Sequence, residues 1–138
     1  MLADVDRLMA EDGLDALIVI GSAEGNADLA YVTRGASIGQ GPVVKKRGER
    51  PILLYNPMEI EGARASGCEI VSVKDLDLHT ITREAPTRYQ AVVDTLARII
   101  ERFGVAGRVQ FLGRADPSMF RHAVVALATR CPRLAPVA

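Results

Sequence analysis

Residues 13–35 read GLDALIVIGSAEGNADLAYVTRG and contain, in order, a helix end, a strand, a turn and a second helix. Gly13 can adopt the left-handed conformation that ends a helix. The apolar run Ala16–Ile20 is typical of a strand that is covered on both faces. A polar turn, Gly21–Asn26, leads to a short amphipathic segment, Asp28–Thr33. This alternation of helix and strand predicts an α/β domain.

The other predicted elements have start and stop signals of their own. They are a helix over Asp4–Asp12 with Leu2, Val5, Leu8 and Met9 on one stripe, a hairpin of Pro42–Lys46 and Pro51–Tyr55, a helix that begins at Asn56-Pro57 and ends at Gly67, a strand over Glu69–Val73, a helix over Thr87–Phe103 with Tyr89 and Val92 on its apolar stripe, a strand over Arg108–Leu112 and a helix from Asp116-Pro117 to Cys131. The order predicts a mixed sheet of about five strands with helices on both faces.

Finer signals support this assignment at particular residues. Glu59 stands three residues after Asn56, where a capping box places its carboxylate. The basic run Lys45-Lys46-Arg47 is predicted to be a solvated hairpin tip. Lys74–Pro86 shows no period and is predicted to be a surface connection. The tail Arg133–Ala138 contains a proline and is interpreted as a linker or a cut end, which places the domain over residues 1–134 and the start of a linker over 135–138.

Composition narrows the class of function. The 138 residues are 49% hydrophobic, as in an ordinary globular domain, and 17 Lys and Arg balance 17 Asp and Glu. This balance argues against a nucleic-acid partner or an anionic membrane surface, and no apolar run approaches the roughly 20 residues of a membrane span.

The N-terminus is acidic and lacks the pattern of a secretory signal. Two unpaired cysteines, Cys68 and Cys131, are predicted to be buried, which favours a cytoplasmic location.

No catalytic constellation is recognisable. The Gly21–Asn26 turn follows a strand and precedes a helix, as a phosphate loop does, but neither nucleotide fingerprint is present. A structural turn is the favoured interpretation. His79 and His122 have no acidic or cysteine neighbours at ligand spacing, so we predict no metal site and no cofactor in this chain.

The loop Arg34–Gly41, RGASIGQG, is the segment that we expect to meet a ligand or a partner subunit. Its three glycines make the loop either mobile or shaped for close backbone approach. Arg34 and Gln40 supply donors, and an arginine can hold a carboxylate through paired hydrogen bonds. His79, in the predicted connection, is the third candidate contact. The alternative is that Arg34 belongs to a solvated connection and touches nothing.

Taken together, RLMAEDGLDALIVIGSAEGNADLAYVTRG, the hairpin VVKKRGERPILLYNP and GCEIVSV resemble the N-terminal domain of the creatinase/prolidase/Xaa-Pro aminopeptidase family. The family segment N-I-x-Y-L-T-G is matched by Leu29, Tyr31, Val32, Thr33 and Gly35. Asp28 takes the Asn place, and Arg34 is an insertion before the glycine. The resemblance extends from Leu2 to about Leu134 and implies a ribonuclease H-like fold.

The resemblance also implies a function. In the family, catalysis belongs to a second, pita-bread domain whose two Asp, one His and two Glu hold a dinuclear Mn, Co or Zn centre. This chain would then be a non-catalytic N-terminal module, partnered by its own C-terminal catalytic domain in a homodimer and covering an active site with its loops. The alternative is a free-standing α/β domain that binds a small molecule or a nucleotide through the Gly21–Asn26 turn.

Overall fold

The computed structural model describes residues 2–137 of the chain. Within these residues the chain forms six α-helices and six strands. In chain order they are α1 (Leu2–Glu11), β1 (Ala16–Ile20), α2 (Ala27–Val32), β2 (Val43–Lys46), β3 (Ile52–Tyr55), α3 (Ile60–Ala65), β4 (Glu69–Ser72), α4 (Leu78–Glu84), α5 (Arg88–Phe103), β5 (Gly107–Gly113), α6 (Pro117–Arg130) and β6 (Leu134–Val137). Two 3₁₀ turns, Pro57–Glu59 and Val73–Leu76, precede α3 and α4.

The strands form one mixed sheet in the order β4-β3-β2-β1-β5-β6. β2 is antiparallel to both of its neighbours, and the other adjacent pairs are parallel. The prediction of an α/β fold with a mixed sheet is confirmed, but the sheet has six strands rather than five. The sixth is Leu134–Val137, which begins at the predicted last residue of the domain and continues into the segment predicted to be a linker, residues 135–138. Pro136 misled the assignment, although a proline is tolerated on an edge strand such as β6.

Both faces of the sheet are covered by helices. Alternate residues of β1 separate the two sides: Ile18 belongs to the core under α4, α5 and α6, whereas Val19 belongs to a cluster with residues of α2 and α3. A smaller cluster joins Met9 of α1 to Leu14 and Leu17. Such burial on both sides explains the continuous apolar run of β1.

Side-chain caps begin several of the helices as the sequence predicts. Asn56 accepts a hydrogen bond from the amide of Met58, and Asp116 accepts from the amides of Ser118 and Met119. The capping-box role of Glu59 is wrong, because its carboxylate accepts a hydrogen bond from the amide of Gly39 instead.

The segment predicted as a surface connection, Lys74–Pro86, is largely helical. The 3₁₀ turn and α4 meet at Asp77, whose φ is +56°, and they bury Leu76 and Leu78. Each of these two elements is too short to show a helical period, so the sequence does not predict them. His79 therefore lies on α4, exposed, and not in a loop.

Three further predictions need correction. Lys45 is not part of a solvated tip: its side chain is 0% exposed. Leu8, assigned to the apolar stripe of α1, is 51% exposed, because α1 covers only the small cluster around Met9. Tyr89 is 38% exposed and lies beside the ring of His122, with centroids 5.3 Å apart.

Candidate functional site

A concave surface lies where the carboxyl ends of β1 and β5 meet. These strands are parallel neighbours, with Ile20 opposite Gly113. From β1 the chain builds the sheet outward through β2, β3 and β4, and then returns to place β5 on the other side of β1. In open α/β sheets, ligands bind in the crevice at such a switch point.

A groove of about 450 Å³ occupies this position, and we call it the carboxyl-edge groove. Apolar side chains of β1, α5, α6 and the loops before β2 and α6 form its floor, and polar side chains form its rim. The floor includes Ile20, Pro42, Ala91, Val92, Leu96, Ala115 and Met119, and the rim includes Gln40, Thr82, Arg88, Thr95, Arg114 and Asp116.

Two glycines allow the strand ends to approach each other here. Gly21 and Gly113 have φ values of +97° and +104°. A β-carbon at Gly21 would lie 2.1 Å from the carbonyl oxygen of Arg114, and one at Gly113 would lie 2.1 Å from that of Ile20. Any side chain at either position would force the β1 and β5 ends apart and open the floor of the groove.

The charged groups of the rim differ in how firmly they are held. The guanidinium of Arg114 donates to the carbonyl of Glu24 at 2.8 Å. Asp116 uses its Oδ1 as the cap of α6. Arg88, in the first turn of α5, makes no hydrogen bond or ion pair with any residue of the described chain and is exposed. Among the described residues of the rim, Arg88 is thus the cation without any polar partner, whereas Arg114 has a carbonyl partner but no ion pair.

The Gly21–Asn26 turn is shaped by its own hydrogen bonds. Asn26 is 3% exposed, donates to the carbonyl of Ile20 at 2.9 Å and accepts from the amide of Leu29 at 3.1 Å. The guanidinium of Arg114 lies against Gly25. These contacts give the side chain of Asn26 a structural role, whereas Ser22 and Glu24 remain exposed and Gly21 borders the groove.

The Arg34–Gly41 loop is held along its length. Ile38 is buried, and the amide of Gly39 donates to Glu59 at the start of α3. A β-carbon at Gly62 of α3 would lie 2.0 Å from the carbonyl oxygen of Ser37. The loop thus approaches α3 closely at Ser37, and the glycine that permits this approach is Gly62 of α3 and not a glycine of the loop.

The structure separates the three predicted contact residues. Gln40 lines the groove and pairs with Ser22 through an isolated bridge. Arg34 lies at the other end of the loop, with a φ of +58°, and its side chain runs beside Gly67. His79 is exposed on α4, and neither it nor Arg34 lines the groove.

Arg88, Arg114 and Asp116 were missed as rim residues. One signal was present in the sequence: residues 113–116 follow a predicted strand directly and precede a capped helix, the usual position of ligand-binding residues. Only the parallel pairing of β5 with β1 shows that they share an edge with Gly21. Arg88 comes from a third element, so no local pattern connects it to them.

The thiols are not candidates for chemistry. Cys68 and Cys131 are both buried. Desolvation raises the pKa of each thiol above its ordinary value. The Ser66 hydroxyl opposes this shift at Cys68, and the charge of Glu101 adds to it at Cys131.

Over residues 2–137 no group of three or more His, Cys, Asp or Glu side chains could hold a metal ion. In the same residues no helix is both long and apolar enough to cross a bilayer.

Comparison with known protein families, with curated proteins and with solved structures finds no match for this chain.

Proposed function

We propose that this chain is the non-catalytic N-terminal module of a metal-dependent hydrolase of the Xaa-Pro aminopeptidase and dipeptidase type, in the cytoplasm. The module takes part in oligomerisation and covers the active site of the parent enzyme. The dinuclear Mn, Co or Zn centre and the catalytic groups belong to the second domain of that enzyme. The partners of the module are its own catalytic domain and a second subunit.

The observation that carries this proposal is the form of the Leu29–Gly35 segment, which bears the family resemblance. Leu29, Val32 and Thr33 are buried, and the Thr33 hydroxyl donates to the carbonyl of Leu29 at 2.7 Å. Arg34 and Gly35 then leave the helix with φ values of +58° and +70°. A covering loop needs a fixed base and an exposed donor, and Arg34 is exposed beside Gly67.

Arg34 is the group of the loop best suited to a substrate or a partner subunit. Its side chain is exposed and forms no hydrogen bond or ion pair with another residue of the described range. An L-residue in the left-handed region costs about 1 kcal/mol, and such strain is often found at functional positions. A guanidinium in this position can hold the carboxylate of a short peptide through two hydrogen bonds.

The test is made in the full-length enzyme. The reading frame is expected to continue beyond Ala138 into a domain with Asp, Asp, His, Glu and Glu metal ligands in that order. Arg34→Ala should lower kcat/KM for a short Xaa-Pro peptide by roughly ten- to hundredfold, because a charge-assisted contact is lost, while the melting temperature changes little. Arg64→Ala, which removes an exposed arginine from α3, is the matched control. A kcat/KM within about a factor of two of wild type would reject the role of Arg34, and a reading frame without the metal ligands would reject the module itself.

A second candidate function is supported by one observation. The carboxyl-edge groove has the position and size of a small-molecule site, and it includes Gly21 of the turn that suggested binding from sequence. A free-standing binding domain would use this groove and not a phosphate loop, because the polar groups of Asn26 are occupied within the turn.

A further inference from the structure

We infer that the carboxyl-edge groove binds a small organic monocarboxylate, with the carboxylate held at Arg88 and the apolar part of the molecule on the groove floor. This site goes beyond the proposed role as a covering module and does not depend on it. The inference rests on the shape, the apolar floor and the charges of the rim.

The shape is that of a site for a small ligand. A volume of about 450 Å³ lies within the roughly 300–1,000 Å³ of small-molecule pockets. Several backbone segments define it: the end of β1, the Gln40–Pro42 segment before β2 and the Arg114–Asp116 segment before α6. The hydrogen bonds from Gly41 N to Gly21 O and from Arg114 N to Ile20 O connect these segments, so the walls exist before a ligand arrives.

The floor favours an apolar ligand. Three apolar side chains of the floor, Ile20, Val92 and Met119, line the groove and remain partly exposed. Covering such surface contributes about 25 cal/mol per Å², so a ligand with a branched or aromatic hydrocarbon part gains binding free energy there. The hydroxyls of Thr82 and Thr95 and the amide of Gln40 offer hydrogen bonds at the edge of this surface.

The charges of the rim select an anion. Arg88 and Arg114 bring two positive charges and Asp116 brings one negative charge, whose Oδ1 is already the cap of α6. Arg88 lies in the first turn of a 16-residue helix, where the helix dipole disfavours a cation, so formation of α5 does not explain it. An arginine without a partner, above an apolar floor, is matched by a carboxylate.

The same rim argues against a phosphate. Asp116 would repel a dianion at the mouth of the groove. Two of the backbone groups that could cradle one are occupied, because the amide of Arg114 donates to Ile20 and the amide of Gly41 donates to Gly21. A single negative charge on an apolar body can pair with the guanidinium of Arg88, and the carboxylate of Asp116 repels it less than it repels a dianion.

The experiment is a titration of the ¹⁵N-labelled chain with 4-methylpentanoate, followed by amide chemical shifts. Saturable shifts are expected at groove residues such as Gln40, Thr95 and Ala115. The neutral 4-methylpentanamide tests the charge, and 4-methylpentylamine tests its sign. The acid should bind at least roughly tenfold more tightly than either, since a hydrogen bond to a charged partner is lost with both.

Three variants locate the site. Arg88→Gln should weaken binding by at least roughly tenfold, whereas Arg102→Gln, at the other end of the same helix, should leave it unchanged. Ala115→Phe adds a ring to the groove from an exposed loop position and should abolish binding. Unchanged cooperative melting shows that each variant is folded.

Four results would each overturn the inference. They are the absence of saturable shifts up to about 10 mM acid, equal affinity for the amide, an equal loss of affinity in Arg102→Gln, and saturable shifts that lie outside the groove. None of these results bears on the role of Arg34 in the parent enzyme, so the two proposals can fail separately.

Discussion

Among the described residues, Lys45 is the one charged residue that is buried, and its ammonium has two oxygen partners. Its Nζ donates to Oδ1 of Asp6 at 2.5 Å and to the carbonyl oxygen of Lys46 at 2.8 Å. Asp6 also accepts from the amide of Gly48 at 2.8 Å. A single carboxylate on α1 thus binds both a buried ammonium of β2 and the turn that follows it. The contact holds α1 against β2 and the turn after it, in addition to the apolar packing of Met9.

Removing this carboxylate should destabilise the fold. Asp6→Asn leaves the buried ammonium of Lys45 without its anion, and we expect a loss of about 2 kcal/mol in the free energy of unfolding, as for a buried group that loses its partner. Urea denaturation monitored by circular dichroism measures it. Asp4→Asn is the matched control, because Asp4 is exposed and its contact with Arg7 spans 4.0 Å. Equal stabilities for the two variants would contradict this role of Asp6.

The same contact predicts a dependence on pH. The hydrogen bond from Lys45 and that from the Gly48 amide lower the pKa of Asp6 below its ordinary value of 3.8. Because the folded-state pKa is depressed, the contribution of Asp6 is complete above the unfolded-state pKa and is lost as the pH falls through the folded-state value. The difference in unfolding free energy between wild type and Asp6→Asn should therefore be constant from about pH 7 to 5 and shrink below about pH 4. A difference that grew on acidification would exclude this explanation.

The ends of β1 and β5 meet at a contact that only glycine allows. A β-carbon at Gly113 would meet the backbone of Ile20 at 2.1 Å, and this backbone cannot move without shifting the central strand of the sheet. Gly48, in the β2–β3 turn, has a φ of +81° but no atom within 4 Å of the same position. A substitution at Gly48 therefore meets only the strain of a left-handed backbone, whereas one at Gly113 meets that strain and a steric clash.

Substitution of these two glycines should therefore have unequal effects. Gly48→Ala should cost about 1 kcal/mol, the price of a left-handed alanine. Gly113→Ala adds a backbone clash and should cost about 3 kcal/mol or more in the free energy of unfolding. Because Gly113 adjoins the floor of the carboxyl-edge groove, its variant should also disturb the amide shifts of Gly21 and Arg114. Equal costs for the two substitutions would show that the strand ends can relax.

At the scale of the whole molecule, one sheet separates two helical layers, and each layer holds one buried thiol. Cys68 packs with residues of α2 and α3, and Cys131 packs with the core beneath α5 and α6. Burial and a raised pKa both disfavour reaction of these thiols in the folded state, so we expect their labelling to require opening of the structure. Their labelling rates therefore report how each layer opens.

We expect the two layers to open together. In the single-cysteine variants Cys68→Ala and Cys131→Ala, the remaining thiol should react with a disulfide reagent at nearly the same rate, scaled by the global unfolding constant, because both layers share the strands of one sheet. Thermal melting of the chain should be a single cooperative transition. Faster labelling of Cys68 by more than about tenfold would indicate that the layer of α1, α2 and α3 opens independently.

Periodicity and caps predicted much of the fold from local sequence. Ala16–Ile20 was assigned with its correct ends, and the start of α6 at Asp116-Pro117 and the end of α5 at Gly104 follow from residue types that favour these conformations. The missed elements, α4 and β6, are short: neither shows a full period, and the edge position that makes Pro136 acceptable in β6 cannot be seen in the sequence.

The sequence by itself determined the α/β class, the hydrophobic layers and the polar turns, because these depend on the chemistry of neighbouring residues. Tertiary structure alone decided which strand ends meet. The pairing of β1 with β5 joins residues more than ninety positions apart, as in Ile20 and Gly113, and brings Arg88 and Arg114 to one groove. It also decided that Lys45 is buried while Lys46 and Arg47 remain nearer to water. The physical reason is that a local pattern indicates which face of a helix or strand is apolar. Which strands pair, and how deeply a side chain is buried, depend on contacts between residues that are distant in the chain.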